Sequence, residues 1–270
     1  MGTLWDGLVN SLASFLRLLE SATDGVFGVF AWGWAIILLT FAVRLVLLPL
    51  AVKQTNSMRA MTRLAPEMKK IQAKYKVERS LMKTNPDKYR QRKQKQQEAV
   101  MALYKEHNVN PAASCLPLLL QMPILFALYQ VLANRVPEFQ TAPFYLITTL
   151  NSRAGEGLTA GIGVFVLLIV MGVTQFITVK QTMSRQVSAT PEQMQQQKIM
   201  LYAMPAMFTV FGFNLPAGVL LYWVAQNFWL MAQQYVMFRD VAPVTEAISK
   251  KKPLEGVAGV ERRVRGRQAP

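Results

Sequence analysis

The 270-residue chain has one cysteine, Cys115, and one histidine, His107. A single thiol excludes an internal disulfide, and one imidazole beside it leaves no Cys/His cluster for a metal. Cys115 reads as a small packing residue, since free cysteine buries readily. Acidic residues are scarce, 15 against 30 Lys+Arg, and none falls within residues 26–52, 108–134, 157–179 or 199–238. Those four apolar runs therefore contain no carboxylate proton relay and no counter-ion of their own. They also lack the residues for general acid–base catalysis, so an intramembrane enzyme is a remote reading. Residues 1–25 have no basic residue before Arg17 and place Asp6 early, unlike the positive start of a cleavable signal peptide. No repeat of fixed period occurs.

What is present is apolar and basic at once, with 52% hydrophobic residues, a mean hydropathy of +0.20 and a net charge of +15. The two properties occupy different segments. Each of the four runs exceeds the roughly 18 apolar residues that nominate a membrane helix. The last, of 40 residues, is long enough for two spans. It breaks at Asn214-Leu215-Pro216-Ala217-Gly218, where Asn, Pro and Gly favour a turn. Five spans result. Residues 53–107, 180–198 and 239–270 together carry 26 Lys+Arg, whereas the opposite sides carry only Arg17, Arg135 and Arg153. The positive-inside rule then places the N-terminus outside and the C-terminus in the cytosol.

The expected order is an outer-face amphipathic helix at 1–25 and spans at 26–52, 111–134, 158–179, 199–213 and 216–238. Between them lie a cytoplasmic helical hairpin at 53–110, an external loop at 135–157 and a cytoplasmic loop at 180–198, with a basic cytoplasmic tail at 239–270. Leu4, Leu8, Leu12, Phe15, Leu16 and Leu19 recur at helical spacing, with Trp5 nearby, which predicts the interfacial helix. In the hairpin, Met58, Met61, Leu64, Met68 and Ile71 form one face, and Pro66 is expected to kink or restart the helix. A second helix is expected from an Asn85 cap with Pro86 and Asp87 in the first turn, running to about His107. Its apolar face, Tyr89, Gln96, Val100, Leu103 and Tyr104, is thin, which predicts a polar, mobile hairpin.

Two charge runs stand out, 89–95 in the hairpin and the tail residues Lys250, Lys251, Lys252, Arg262, Arg263, Arg265 and Arg267. They fit a solvated orientation signal, and equally a surface for anionic lipid or ribosomal RNA.

Arg44 is the only charge in residues 26–52. A charge at the centre of a membrane helix costs roughly 2.5–3.5 kcal/mol even on insertion scales, so Arg44 either snorkels to a headgroup or faces a wet cavity. Thr40 one turn away, with Gln121, Gln175, Gln226 and Asn227 in other spans, favours a groove that water enters from the cytosol. Pro49, Pro117, Pro123 and Pro205 would bend the spans, and the short fourth span predicts local bilayer thinning.

The run Val109-Asn110-Pro111 followed by CLPLLLQMPILFALY at 115–129 resembles the second membrane helix of the YidC family of membrane protein insertases. MGVTQFITVKQTMS at 171–184, QQQKIMLYAMPAMFTVF at 195–211 and FNLPAGVLLYWVAQNFWLMAQQYVM at 213–237 resemble its later spans in order, and Arg44 with Pro49 resembles its first. The resemblance covers residues 25–240. It implies an all-α integral membrane protein with five transmembrane helices, a cytoplasmic helical hairpin and an N-terminal amphipathic interfacial helix. It further implies a bacterial inner or plasma membrane location, and no cofactor, small-molecule substrate or enzymatic step. Arg44, Thr40, Gln121, Trp223, Gln226 and Asn227 would line a hydrophilic groove. Met171, Val173 and Phe176 of the third span, with Leu220, Val224 and Phe228 of the fifth, would form an apolar slide for nascent membrane proteins. Anionic lipid, the ribosome and the Sec translocon are further partners compatible with that family. The large extracytoplasmic domain and lipoprotein-type cysteine of some members are not expected. The hairpin between Lys76 and Tyr89 looks longer and more basic than usual, and Ala112-Ala113-Ser114 stand where glycines are common. A channel or anion transporter using Arg44 is the alternative reading.

Overall fold

The computed structural model describes residues 2–75, 83–110, 116–184 and 191–239. The described chain is helical, with α1 (Gly2–Phe27), α2 (Ala31–Val46), α3 (Leu48–Arg63), α4 (Ala65–Lys74) and α5 (Pro86–Glu106). There follow α6 (Leu116–Gln130), α7 (Pro137–Thr141), α8 (Ile162–Ser184), α9 (Pro191–Gly212) and α10 (Ala217–Phe238). Among the described residues the only extended pairing is an isolated antiparallel bridge between Phe144 and Ile147. Two compact units emerge, one from residues 2–52, 116–181 and 199–236, the other from the rest.

The first unit is built on a continuous apolar core. Ile36 and Leu39 of α2, Ala127 and Leu128 of α6, Val164 and Leu168 of α8 and Leu220 of α10 are all buried in it. Helix α1 joins this core. Val9, Ala13 and Leu16 are buried and Trp5, Leu12 and Leu19 pack beside them, whereas Leu4, Leu8, Phe15 and Leu18 are exposed. The stripe expected to lie on a membrane surface is therefore split, with Leu12, Leu16 and Leu19 turned toward protein and Leu4, Leu8 and Phe15 away from it. Polar contacts fix α1 in place: Trp5 Nε1 donates to Gln130 Oε1 at 2.9 Å, and Arg17 Nη2 donates to the Arg135 carbonyl at 2.9 Å. The latter satisfies a carbonyl left over where α6 ends in a π-helical turn, Val131–Arg135.

Residues 137–160 fold over one end of this unit. Phe144 and Ile147 exchange backbone hydrogen bonds of 3.1 and 2.9 Å, and Tyr145 in the turn has φ +49°. The segment also holds the start of α10, because the Ala217 and Gly218 N–H groups donate to the Ser152 and Leu150 carbonyls, both at 2.9 Å. The turn expected at 214–218 is shorter than its composition suggests: Gly218 is already helical. Its role is close approach, since a Cβ there would overlap the Phe139 ring and press on Ile36.

Two stretches among the described residues, Thr3–Val46 and Ile162–Ser184, are long and apolar enough to cross a membrane. Two of the other expected spans fall short of that measure through polar residues: α9 opens on a polar Gln-rich turn, and Gln226, Asn227, Gln233 and Gln234 dilute α10. The expected span at 111–134 begins on residues outside the described ones.

The second unit contains a helical pair. Helix α4 starts with Pro66 in its first turn, and Asn85 caps α5 by accepting from the Lys88 N–H at 3.0 Å. Leu64, Met68 and Ile71 pack on Ala99, Val100, Leu103, Tyr104 and Val109, while Gln96 is buried beside them. The apolar face is thus broader than the expected thin stripe, because Ala99 and Val109 complete it. The Tyr104 hydroxyl lies 3.5 Å from Met68 Sδ, and burial raises the phenol's pKa above its ordinary value. Residues 76–82 between the two helices lie outside the described residues, as do Cys115 and Ala112-Ala113-Ser114.

Gly218→Ala is expected to destabilise the protein by about 1–3 kcal/mol, the usual cost of overpacking. Gly25→Ala, where a Cβ meets open space on a helix, is expected to be neutral or stabilising by up to about 1 kcal/mol. Unfolding in detergent micelles measures both. A Gly218→Ala protein as stable as wild type would remove Phe139 as the reason for this glycine.

Candidate functional site

Arg44 sits in the last turn of α2 and is half-buried. Its Nη2 donates to Gln121 Oε1 of α6 at 2.9 Å. Gln121 Nε2 in turn donates to the Tyr222 hydroxyl at 2.9 Å and to Gln226 Oε1 at 3.1 Å, both on α10. Three helices are therefore joined by one polar chain. Tyr222 and Gln226 are four residues apart and so share a face of α10. Both are buried, Tyr222 4% and Gln226 5% exposed, so the chain lies within the packed interior with Arg44 at its open end.

A second polar set lies one helical step around α10. Trp223 Nε1 donates to Gln175 Oε1 at 3.0 Å, and Asn227 Nδ2 donates to Thr174 Oγ1 at 3.1 Å, both on α8. Thr174 passes its own hydroxyl hydrogen to the Val170 carbonyl at 2.7 Å. The Trp223 ring also packs on Phe208 of α9, with centroids 4.8 Å apart. Consecutive residues on a helix point about 100° apart, so the Tyr222/Gln226 and Trp223/Asn227 pairs face different neighbours.

Of the six expected groove residues, the structure brings together Arg44, Gln121 and Gln226. Trp223 and Asn227 belong to the α8 contact. Thr40, 1% exposed, gives its hydroxyl to the Ile36 carbonyl of its own helix at 2.7 Å and does not line an open cavity. A threonine in an apolar helix satisfies itself this way when no other acceptor is near. Tyr222 is the member that sequence reasoning missed. It lies one turn before Gln226, and that spacing could have marked it. Thr174 was missed as well, while Gln175 was recognised as polar but not as Trp223's partner.

The expected slide residues divide too. Val173 and Phe228 are 54% and 52% exposed, and Phe176 is half-buried, stacked at a tilt 6.2 Å from Tyr202. Met171, Leu220 and Val224 are buried core residues instead, because they fall on the inner faces of α8 and α10. On α8 the outward stripe runs through Val166, Ile169, Val173 and Ile177. Lys250, Lys251, Lys252, Arg262, Arg263, Arg265 and Arg267 lie outside the described residues. The described residues contain no group of three or more His, Cys, Asp or Glu that could hold a metal.

An all-helical fold, apolar helices of membrane-crossing length and an arginine tied into a chain of neutral amides and a phenol define a helical membrane protein with a polar interior. The chain belongs to the 60Kd inner membrane protein family, whose model matches residues 23–244. It is 37% identical over 278 residues to the membrane protein insertase YidC of Streptomyces avermitilis, which covers 88% of this chain and 61% of that protein. Identity to the membrane protein insertase YidC of Syntrophobacter fumaroxidans is 39% over 210 residues, 76% of this chain and 34% of the other. A crystal structure of an active YidC insertase with its first transmembrane domain resolved superposes with a TM-score of 0.60 at 31% identity, covering 86% of this chain and 46% of that one. The chain thus spans 61% and 34% of these two relatives' lengths.

Gln121 is the hub, so its removal strands Arg44, Tyr222 and Gln226 together. Gln121→Leu is expected to cost roughly 2–4 kcal/mol and Tyr222→Phe about 1 kcal/mol, with a coupling of about 1 kcal/mol between them. A double-mutant cycle by chemical denaturation in micelles reads the coupling. Strict additivity would show that the Gln121–Tyr222 bond is not formed in solution.

Proposed function

We propose that this chain is a membrane protein insertase and chaperone that receives nascent membrane proteins and releases their hydrophobic helices into lipid. The observation that carries this reading is Arg44, a half-buried cation in an apolar helix whose hydrogen-bond partner is the neutral Gln121. Relatives bearing the insertase name support it. In this reading the chain spans the bilayer five times, at 26–52, 111–134, 158–179, 199–213 and 216–238, with its N-terminus outside. The hairpin at 53–110, the loop at 180–198 and the basic tail at 239–270 are cytosolic, the tail meeting the ribosome or anionic lipid. The Sec translocon would be a further partner.

The mechanism is solvation and needs no covalent step. Moving a polar segment through hydrocarbon strips it of hydrogen bonds, at a cost of roughly 2–7 kcal/mol per unpaired polar group. Arg44 uses Nη2 on Gln121 and keeps further N–H donors for a client carboxylate or carbonyl. Gln121, held by Tyr222 and Gln226, keeps Arg44 from folding back toward a headgroup. Val173 and Phe228 offer apolar surface for a departing helix.

Arg44 acts here as a positive charge beside a hydrogen-bonding amide, not as half of a salt bridge. At 4 Å a client carboxylate is attracted by about 4 kcal/mol in a medium of intermediate dielectric against about 1 kcal/mol in water, before desolvation is subtracted. Arg44→Lys is therefore expected to retain most insertion, and Arg44→Ala to impair clients with acidic translocated tails more than matched neutral ones. An insertion assay with such client pairs is the measurement. Lys failing as fully as Ala would demand guanidinium geometry, and normal insertion by Ala on every client would leave Arg44 a mere anchor.

A further inference from the structure

Where α1 meets α2, an open cleft of about 550 Å³ is lined by Arg17, Leu18, Glu20, Ser21, Trp32 and Glu138. That volume is in the range of roughly 300–1,000 Å³ common for small-ligand sites. Its charges are mixed. Arg17 Nη2 lies 3.7 Å from Glu138 Oε2 while also donating to the Arg135 carbonyl. Arg135 is drawn off to Asp6, 3.3 Å away, so it does not neutralise the cleft's carboxylates. Burial, and after it the charges of Asp24 and Glu138, push the Glu20 carboxyl above its ordinary pKa.

We propose that this cleft binds the zwitterionic headgroup of a phospholipid, with the ammonium held by Glu20 and Glu138 against the Trp32 indole and the phosphate held by Arg17. The chemistry matches group by group. A primary or quaternary ammonium gains from two carboxylates and from the face of an indole, and a guanidinium is suited to phosphate oxygens. A lipid, not a soluble phosphate ester, fits because the cleft opens onto apolar surface. Leu18 at its edge is 62% exposed and continues into the exposed stripe of Phe15, Leu8 and Leu4 on α1, where acyl chains would lie. Trp32 is the residue type that favours headgroup depth. The outer leaflet follows from the orientation proposed above, but headgroup binding itself does not depend on insertase activity.

The test is native mass spectrometry of the full chain released from mixed micelles containing equimolar phosphatidylethanolamine and phosphatidylglycerol of identical acyl chains. Wild type is expected to retain the ethanolamine lipid preferentially, and Glu20→Gln with Glu138→Gln to lower that retention roughly fivefold. Arg17→Gln is expected to weaken retention of both lipids, and Arg153→Gln, which does not line the cleft, of neither. Circular dichroism and thermal unfolding in the same micelles report whether each variant is folded, and wild type alone tests the preference whatever the variants do. No preference in wild type, or equal retention by folded carboxamide variants, would overturn the proposal. Displacement of the lipid by micromolar free O-phosphoethanolamine would overturn the assignment to lipid and make the ligand a soluble phosphate ester.

Discussion

A guanidinium can give hydrogen bonds and cannot receive them, and that one-way property orders the polar chain inside the first unit. Arg44 forces Gln121 to present its carbonyl, which turns the Gln121 amide nitrogen toward α10. That nitrogen needs acceptors, so Gln226 must offer Oε1 and Tyr222 its phenol oxygen. Gln121 spends both amide hydrogens on these bonds, and the other three members end with hydrogens to spare: the other N–H groups of Arg44, the Tyr222 hydroxyl and the Gln226 amide. A site made of donors selects for acceptors, and in the proposed function a client's peptide carbonyls and carboxylates would supply them.

The opposite end of α2 is built for the reverse purpose. Gly33 lies eleven residues before Arg44, about 16 Å along the helix. A Cβ at Gly33 would overlap the Phe144 ring, which itself sits edge-on to Phe30, Trp34 and Tyr145. Gly163 lets the Leu146 backbone approach α8, and Gly218 admits the Phe139 ring against α10. Glycine opposite bulk is the recurring device, and it fills this end with apolar atoms. In the proposed function, water would therefore reach Arg44 from its own end of the helix.

Much of this was legible in the sequence because it rests on local rules. The Asn85-Pro86-Asp87 start of α5, the restart at Pro66 and the break before α10 follow from capping, proline geometry and turn chemistry. Arg44, Gln121 and Gln226 were visible as polar residues in apolar runs. What was not legible depends on helix rotation. Nothing local says that Tyr222 faces α6 while Trp223 faces α8, that Thr40 satisfies itself, or that Met171 and Leu220 point inward while Val173 and Phe228 point outward. In an apolar run both faces of a helix read alike, so hydropathy cannot tell core from lipid-facing surface. The same ambiguity hid the division of α1, whose leucines serve two faces.

The rotation of α10 also separates two jobs. Tyr222 and Gln226 secure it to α6 and, through Gln121, to Arg44; Trp223 and Asn227 secure it to α8. A helix leaving between α8 and α10 would have to part the second pair of bonds, each between neutral groups and worth about 1 kcal/mol net. The first set, which includes a charge-assisted bond of roughly 1.5–3 kcal/mol, would be left whole. The weaker set of bonds therefore lies on the side where Val173 and Phe228 carry exposed apolar surface, and in the proposed function the stronger set would hold the cation in place if the weaker one parted.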